Sequence, residues 1–365
     1  MPLIDAADAQ ACEVTLLGND PHSTARWQGY VAAASGATIY HDLAWREIFG
    51  RSLGYRSFYL MAQGRTGAVE GVLPLFRVPS FFGRARLVSV PFRDRGGVIA
   101  NTPEAFLRLV AEAEKLRHAN RWSGIELKSI EPYDDEIVTA AGLRRADHWV
   151  HSQTDLSRLN VEDLRQVLGD KTRNMLRQAE QAGLRIEESV DPASVDDWID
   201  VYSQSQRNLG LPGFSGSFFR RILNSLGARG LARLVLVRSP SGEAAAGSII
   251  FVENERLIYG YSASTAAGRE ARANDLMLAH LLEAACREKK HWLDLGSDSP
   301  LQAGLLFFKR KWRAKQSPVP SYFIGDEPPA MDSSMEKFQM ARAIVSRTPR
   351  IVSRLCLTPL VRYLG

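Results

Sequence analysis

The stretch HWLDLGSDSPLQAGLLFFKRKW, residues 291–312, decides the fold of this chain. Residues 291–295 have the apolar pattern of a short buried strand, and a Gly/Ser loop follows at Gly296. In open α/β sheets, ligands bind beyond the carboxyl ends of strands, where loop N–H groups are accessible. The stretch therefore predicts an α/β sheet with a ligand site at the end of this strand.

The elements around this stretch occur twice in the same order: a hairpin, a further strand, a helix and a short strand. The first set lies at 55–78, at 86–90 with a second short strand at 97–100, at 103–120 and at 124–129. The second set lies at 231–253, 256–264, 271–289 and 291–295. The order predicts two copies of one α/β domain, and the alternative is a single large mixed sheet. We expect domains at 1–155 and 156–330, a helical insert at about 160–227, and a tail at 331–365.

Composition excludes several classes of protein. The chain has 365 residues, 45% hydrophobic and 24% charged, with a net charge of +5, as expected for a folded and mildly basic protein. Three widely spaced cysteines predict neither a disulfide framework nor a zinc ribbon. The N-terminus is acidic and no apolar region follows it, so we expect a cytoplasmic protein.

Few residues are suited to metal or cofactor binding. His148 and His151 are the only close histidine pair, and their spacing on a strand places them on opposite faces, so no metal site is expected. Nucleotide-binding glycine motifs and a nucleophile elbow are also missing from the sequence.

The basic end of this stretch is a candidate for a binding or catalytic role. Phe307 and Phe308 would anchor it in the core and direct Lys309 towards the loop at Gly296. A lysine there would bind a phosphate or stabilise an oxyanion. The alternative is a solvated basic turn.

Three motifs resemble one family. The order of 259–264, a helix, 294–297 and 308–312 resembles the second half of FemAB-like aminoacyl and peptidyl transferases, which consist of tandem GNAT-fold domains. Residues 173–184 resemble the basic helix of that family. Residues 71–76 with Pro91 and Phe92 resemble FemAB-related proteins encoded beside exopolysaccharide gene clusters. The resemblance implies an α/β fold of two tandem GNAT-like domains, with the helical insert and a helical tail.

The resemblance also implies acyl transfer to an amine of a cell-envelope, peptidoglycan or exopolysaccharide precursor. The donor would be an aminoacyl-tRNA or an acyl thioester, with no other cofactor and no metal. The acceptor would be a lipid-linked or nucleotide-linked sugar precursor, whose amine attacks directly without an enzyme-bound intermediate.

Roles for individual residues follow from the same resemblance. Lys309 would stabilise donor charge, and Asp294 is a possible general base, although its match to Glu126 in the first copy indicates a repeated strand position. The predicted substrate-binding residues are Arg173, Arg177, Tyr259, Tyr261, Ser264, Ser297, Phe308, Lys311 and Trp312. Arg173 and Arg177 form either a phosphate-binding stripe or a solvated helix face. Tyr259 and Tyr261 alternate onto one strand face, where they orient an acceptor or pack in the core.

Two alternative functions remain open. Residues 268–275 contain one glycine, two arginines and acidic residues, which make a poor amide cradle for the pyrophosphate of acyl-CoA. An acyltransferase dependent on acyl-CoA or an acyl-carrier thioester is therefore the first alternative. The second is a non-catalytic scaffold of polysaccharide export.

The C-terminal tail forms a separate basic segment. Residues 337–365 contain six cations and no acidic residue, interleaved with apolar residues and broken by Pro349 and Pro359. The pattern predicts two short amphipathic helices that contact the inner face of an anionic membrane. The alternative is a tail that packs on the body of the protein.

Overall fold

The computed structural model describes residues 12–81, 83–326 and 358–364. Within this part of the chain there are two compact units. The first contains residues 12–148, 319–326 and 362–364, and the second contains residues 149–318 and 358–361.

The first unit is a sheet of antiparallel strands with one parallel pair. Its elements are β1 (Cys12–Leu16), α1 (Pro21–Ala33), α2 (Ala44–Leu53), β2 (Arg56–Gly64), β3 (Val69–Val78), β4 (Arg86–Val88), β5 (Ile99–Ala100), α3 (Pro103–Ala119), β6 (Gly124–Lys128) and α4 (Asp135–Ala140). The strand order is β1-β2-β3-β4-β6, and the last strand of the chain, β13 (Lys315–Gly325), follows β6 through its residues 321–325. Among the described strands of this unit, only β4 and β6 pair in parallel.

Helix α3 is the crossover that a parallel strand pair requires. Thr102 caps its first turn by accepting a hydrogen bond from the Ala105 N–H at 3.1 Å, and Pro103 occupies the first helical position. Its buried residues, Phe106, Leu109 and Val110 among them, recur at helical spacing. They pack against the apolar face of β2, β3 and β6 to form the core of this unit.

The second unit repeats this plan. Its elements are β7 (Arg144–Asp155), α5 (Val161–Val167), α6 (Asp170–Gln181), β8 (Arg185–Glu188), α7 (Pro192–Leu209), α8 (Gly216–Ser225), β9 (Ala232–Arg238), β10 (Ala244–Val252), β11 (Arg256–Ser264), α9 (Ala266–Glu270), α10 (Ala273–Arg287), β12 (Trp292–Asp298) and α11 (Ala303–Lys311). The strand order is β8-β9-β10-β11-β12-β7, with β11 and β12 parallel and α10 as their crossover. Helices α5 to α8 are the predicted insert.

The registers confirm that the units are copies of one fold. Val88 on β4 is opposite Glu126 on β6, and Ile258 on β11 is opposite Asp294 on β12. Glu126 and Asp294 thus hold the same place in their parallel pairs, as the sequence predicts. The predicted α/β class with two copies of one domain is confirmed.

The final strand of each sheet comes from a distant part of the chain. Strand β7 begins in the last residues of the first unit, and its residues 150–155 pair with β12 of the second unit. Strand β13 begins in the last residues of the segment 149–318, and Ser321 to Gly325 pair with β6 of the first unit. Each sheet is therefore completed only when both segments are present.

The described end of the tail is a short 3-10 helix, Thr358–Tyr363. The Tyr55 hydroxyl donates a hydrogen bond to the Arg362 carbonyl at 2.7 Å, and the Tyr363 ring stacks on Phe81 with centroids 3.9 Å apart. Arg362 and Tyr363 therefore pack within the first unit. Residues 337–357, on which the predicted membrane contact mainly rests, lie outside the described residues.

Candidate active site

Strands β11 and β12 of the second unit are paired only at their beginning. Residues Arg256–Ile258 of β11 pair with Trp292–Asp294 of β12. Beyond these residues the two strands continue to Ser264 and Asp298 but no longer pair with each other. Their carboxyl ends therefore diverge at the edge where open α/β sheets bind ligands. In the first unit the same place is bridged, because the Ser89 N–H donates to the Glu126 carbonyl at 2.9 Å and the Lys128 N–H donates to Ser89 Oγ at 3.0 Å. Only the second unit has this opening among the described residues.

A β-bulge changes the direction of side chains on β12. Asp294 is opposite Gln153 and Ser297 is opposite His151, so β12 uses one residue more than β7 over this interval. Gly296 lies in this interval with φ of 74°, a conformation that glycine adopts without strain. Asp294 and Ser297, three residues apart, would lie on opposite faces of a regular strand. The extra residue brings them to the same face, on either side of His151.

These three side chains form a connected cluster. His151 Nε2 is 3.4 Å from Asp294 Oδ2, and His151 Nδ1 is 3.2 Å from Ser297 Oγ. Asp294 Oδ1 also accepts a hydrogen bond from the Gly296 N–H at 2.8 Å. His151 and Asp294 are 0% and 1% exposed, whereas Ser297 is partly exposed. Of these three side chains, only Ser297 is accessible from solvent.

Lys309 lies beneath the same loop and points into the protein. Its Nζ donates to the Leu295 carbonyl at 2.5 Å and to the Gly296 carbonyl at 3.2 Å, and pairs with Asp298 Oδ2 at 2.5 Å. The side chain is 7% exposed and that of Asp298 is 10% exposed. Lys309 approaches the loop as predicted, and its ammonium group contacts the bulged end of β12. The prediction that Phe307 anchors this segment in the core was wrong, because Phe307 is 52% exposed.

The two predicted tyrosines lie on opposite faces of β11, so the prediction of a shared face was wrong. Ile249 is opposite Tyr261 and Ile250 is opposite Tyr259, which leaves Gly260 as an extra residue in a second bulge. A Cβ at Gly260 would be only 2.5 Å from the Ile249 carbonyl oxygen, so the bulge requires glycine. Tyr261 packs among aromatic rings of α8, and Tyr259 packs against the core beneath α10.

The two predicted arginines of the basic helix α6 differ in exposure and in their contacts. Arg177 is exposed and contacts only Asn174 Oδ1, at 3.4 Å, among the hydrogen bonds of the described residues. Arg173 folds back instead, with its guanidinium donating to the Leu168 carbonyl and to Asp170. Arg177 is thus the more accessible cation of the two.

The segment between β11 and α10 forms its own hydrogen bonds. The Gly268 N–H donates to Thr265 Oγ1 at 2.9 Å, and the Arg272 N–H donates to the Arg269 carbonyl at 3.2 Å. Ser264 is buried, and its Oγ accepts from Asn274 Nδ2 at 3.2 Å. A Cβ at Gly268 would be 2.1 Å from the Ala245 carbonyl oxygen, so this glycine permits packing on β10.

The first turn of α10 carries a buried carboxylate. Asp275 is 5% exposed, and burial raises the pKa of its carboxyl group, while Lys311 and Arg272 lower it in part. Negative charge at a helix N-terminus occupies the position that a bound phosphate would take.

The remaining predicted residues support the core. Phe308 packs against the main apolar cluster of the second unit, and Lys311 Nζ lies 5.1 Å from the centre of its ring. Trp312 is fully buried, and its carbonyl accepts a hydrogen bond from Thr154 Oγ1 at 2.9 Å. These residues hold α11 and Lys309 in place.

Sequence reasoning missed one cavity and one partner. A cavity of about 260 Å³ lies between α7 and α8, lined by polar and cationic residues that include Ser203, Gln206, Arg207 and Arg220. It also missed His151 as the partner of Asp294. Gly296 between Asp294 and Ser297 was the signal that could have indicated a bulge there.

Residues 12–81, 83–326 and 358–364 contain no cluster of histidine, cysteine and acidic residues suited to a metal ion. None of the helices described there combines the length and hydropathy needed to cross a membrane.

Comparison with known proteins identifies the fold. Residues 169–310 match the family described as acetyltransferase (GNAT) domain, and this range contains the divergent strands and the Asp294 loop. A search of curated proteins finds no sequence that matches the chain.

Solved structures match over almost the whole chain. FemX superposes with a TM-score of 0.69 at 15% identity, covering 90% of this chain and 100% of its own. L-PGS from Bacillus licheniformis gives 0.58 at 13% identity, covering 90% and 98%. A tandem GNAT protein from the clavulanic acid biosynthesis pathway gives 0.56 at 15% identity, covering 87% and 99%. Residues 169–310 therefore match a GNAT domain, and the fold of the chain as a whole is that of the tandem GNAT structures FemX, L-PGS and the clavulanic acid pathway protein.

Proposed function

We propose that this acyltransferase moves an aminoacyl group from an aminoacyl-tRNA to an amine of a cell-envelope or exopolysaccharide precursor. The observation that carries the proposal is the divergence of β11 and β12 beyond Ile258 and Asp294, within the matched GNAT domain. An acyl chain inserted there would meet Ser297 and the loop that Lys309 supports. The fold likeness to FemX and L-PGS favours this branch of acyl transfer.

The choice of donor is supported by the segment before α10. Acyl-CoA needs free amide groups to bind its pyrophosphate. Here the Gly268 and Arg272 amides already donate to Thr265 and Arg269, and the Asp275 carboxylate adds negative charge. These groups therefore disfavour binding of a pyrophosphate. The terminal ester of an aminoacyl-tRNA does not need these amide groups for binding.

Lys309 acts in this proposal as a positioning residue. Its ammonium group is engaged by Asp298 and by two loop carbonyls, so it holds the bulge that places Ser297 at the opening. Positioning of reacting groups is a large part of what such a transfer requires.

Arg177 and the cavity between α7 and α8 are the proposed binding surfaces. The exposed Arg177 guanidinium would contact the phosphate backbone of tRNA. The arginines and hydroxyl groups of the cavity, Arg207 among them, suit a phosphate-linked sugar acceptor. The basic tail at 337–365 would bring the protein to the membrane where a lipid-linked acceptor is found.

The test supplies the purified chain with mixed aminoacyl-tRNAs, or with acetyl-CoA and longer acyl-CoAs, and with nucleotide-linked and lipid-linked amino sugars as acceptors. Mass spectrometry of the acceptors reports an added aminoacyl residue in the tRNA arm. Transfer only in the acyl-CoA arm would establish the thioester alternative, and binding without transfer in either arm would establish the scaffold alternative.

A matched pair of variants tests the tRNA surface. Arg177→Gln should raise KM for aminoacyl-tRNA several-fold and leave kcat unchanged, because it removes a phosphate contact that is the same in ground and transition states. Arg185→Gln, an exposed arginine on β8, should leave both constants unchanged. Equal effects of the two substitutions would contradict a specific role for α6.

A further inference from the structure

We propose that helix α11 and the residues on either side of it bind an anionic lipid bilayer by inserting apolar side chains into it. Residues 301–315 form this membrane-binding region, which we call the α11 surface. The binding itself needs neither donor nor acceptor, whereas its consequence for a lipid-linked acceptor rests on the proposed function.

The first part of the α11 surface exposes large apolar side chains. Leu301, Leu305 and Phe307 are 58%, 41% and 52% exposed. Nine large apolar side chains are exposed among the residues that the structure describes, and three of them lie within these seven positions. Single exposed residues of this kind are ordinary on a protein surface, whereas a group of them indicates a contact site.

Phe307 lies on the outer face of α11 between small residues and cations. Ala303 and Gly304 lie one turn before it, and both are exposed. Arg310 and Lys311 lie one turn after it, and the Arg310 guanidinium is 6.0 Å from the centre of the Phe307 ring. The exposed face of the helix is therefore apolar at its beginning and cationic at its end.

The second part of the α11 surface carries positive charge that is not offset by acidic residues. The sequence from 299 to 325 contains five cations and neither aspartate nor glutamate. Arg310 and Arg313 are both exposed. Arg310 donates a hydrogen bond to Gln316 Oε1 at 3.2 Å, and Arg313 donates to the Val167 carbonyl at 3.2 Å. Both acceptors are neutral, so these contacts leave the charge of the two guanidinium groups uncompensated.

An anionic bilayer satisfies both parts of the α11 surface at once. Leucine and phenylalanine side chains enter the boundary between headgroups and acyl chains, while neighbouring cations contact the lipid phosphates. Anionic lipids attract cations that lie close to the membrane surface. A nucleic acid would pair with the same cations but would give Leu301 and Leu305 no aliphatic partner.

The α11 surface also lies next to the candidate active site. Strand β12 ends at Asp298 and α11 begins at Ala303, while Lys309 on the inner face of α11 contacts the loop at Gly296. Insertion of the α11 surface would therefore bring the opening between β11 and β12 to the membrane boundary. Given the proposed function, a lipid-linked amino sugar would be met there.

Sedimentation of the full chain with lipid vesicles tests the proposal. Vesicles of equal parts phosphatidylglycerol and phosphatidylcholine are compared with vesicles of phosphatidylcholine alone. The combined substitution Leu301→Ser, Leu305→Ser and Phe307→Ser should lower the partition coefficient on the mixed vesicles by about 30-fold or more, because each side chain would bury roughly half of its apolar area. Arg310→Gln with Arg313→Gln should remove most of the preference for mixed vesicles.

Val190→Ser with Leu209→Ser is the matched control. These two residues are 60% and 44% exposed and lie elsewhere in the second unit. Their substitution should leave the partition coefficient equal to that of the unsubstituted chain. All of the substituted side chains are exposed, so the midpoints of urea unfolding should also stay unchanged, which separates loss of binding from loss of folding.

A tryptophan at the centre of the α11 surface reports its insertion. Brominated acyl chains should quench the fluorescence that Phe307→Trp adds to the chain, whereas the fluorescence added by Val190→Trp should not be quenched. This comparison separates insertion of α11 from vesicle binding through the basic residues at 337–365.

Three results would overturn the proposal. The first is an unchanged partition coefficient for the combined leucine and phenylalanine variant, and the second is an absence of quenching in Phe307→Trp. The third is a combined variant that binds vesicles normally but loses binding to tRNA, which would assign the surface to nucleic acid. Vesicle binding that depends on α11 in a chain without transferase activity would instead leave this inference standing and remove the proposed function.

Discussion

Substitution of Lys309 by methionine tests the role of the buried ion pair beneath the candidate site. The side chains of Lys309 and Asp298 are 7% and 10% exposed, and their atoms Nζ and Oδ2 are 2.5 Å apart. Methionine fills a similar volume but leaves the Asp298 carboxylate buried without its cation. Breaking a buried pair from one side costs about 3–5 kcal/mol.

The loss should appear directly in chemical unfolding. With a urea dependence of about 2 kcal/mol per molar, a loss of about 4 kcal/mol lowers the midpoint for the second unit by about 2 M. Tryptophan fluorescence is suitable, since Trp312 is fully buried next to α11. The double variant Lys309→Met with Asp298→Asn removes the charge as well and should recover most of the stability.

Lys315→Met provides the control. Its side chain is 79% exposed and its Nζ lies 3.9 Å from Asp155, so its loss should cost less than about 1 kcal/mol. A Lys309→Met chain as stable as this control would refute the reasoning. So would a double variant no more stable than Lys309→Met alone.

Three further predictions concern single residues. Burial lowers the pKa of His41 from 6.5 to about 4, so the unfolded chain binds a proton at this residue more readily than the folded chain. The free energy of unfolding should therefore fall by about 3 kcal/mol as the pH drops from about 6.5 to about 4. His41→Gln should remove that slope in pH-dependent urea unfolding, and an unchanged slope would contradict it. Gly260→Ala should lower the free energy of unfolding by more than about 2 kcal/mol, because the new Cβ would clash with the backbone. Gly304 lies in a helix with open space around it, so Gly304→Ala should raise the free energy of unfolding by up to about 1 kcal/mol, as measured by thermal unfolding. Tyr55→Phe removes the 2.7 Å hydrogen bond to the Arg362 carbonyl and should speed tryptic cleavage after Arg362, and an equal cleavage rate would show that this contact does not hold the segment.

Most helices and strands could be predicted from the sequence, because helix capping, turns and apolar periodicity depend on residues that are close together in the chain. The helix at 103–120 was readable from Pro103 and from apolar residues at helical spacing, and it is found at Pro103–Ala119. The match of Glu126 with Asp294 came from the order of elements alone, and the strand registers confirm it.

The site was less predictable because it depends on bulges and on contacts between distant residues. Tyr259 and Tyr261 were assigned to one face by strict alternation, which fails at the extra residue Gly260. His151 is paired with Asp294 across 143 positions of sequence, through a strand register that periodicity cannot give. Lys309 was predicted near its loop, but its buried partner Asp298 was not.

The late arrival of strand β13 bears on how this protein folds during synthesis. Strand β6 leaves the ribosome about 190 residues before β13, a delay of roughly 10–40 s at about 5–20 residues per second. Through that interval the first sheet has an unsatisfied backbone edge, which is open to association with other nascent chains. Slowing of translation between residues 128 and 319 should therefore increase aggregation. Residues 12–148 expressed alone lack β13 and should also aggregate.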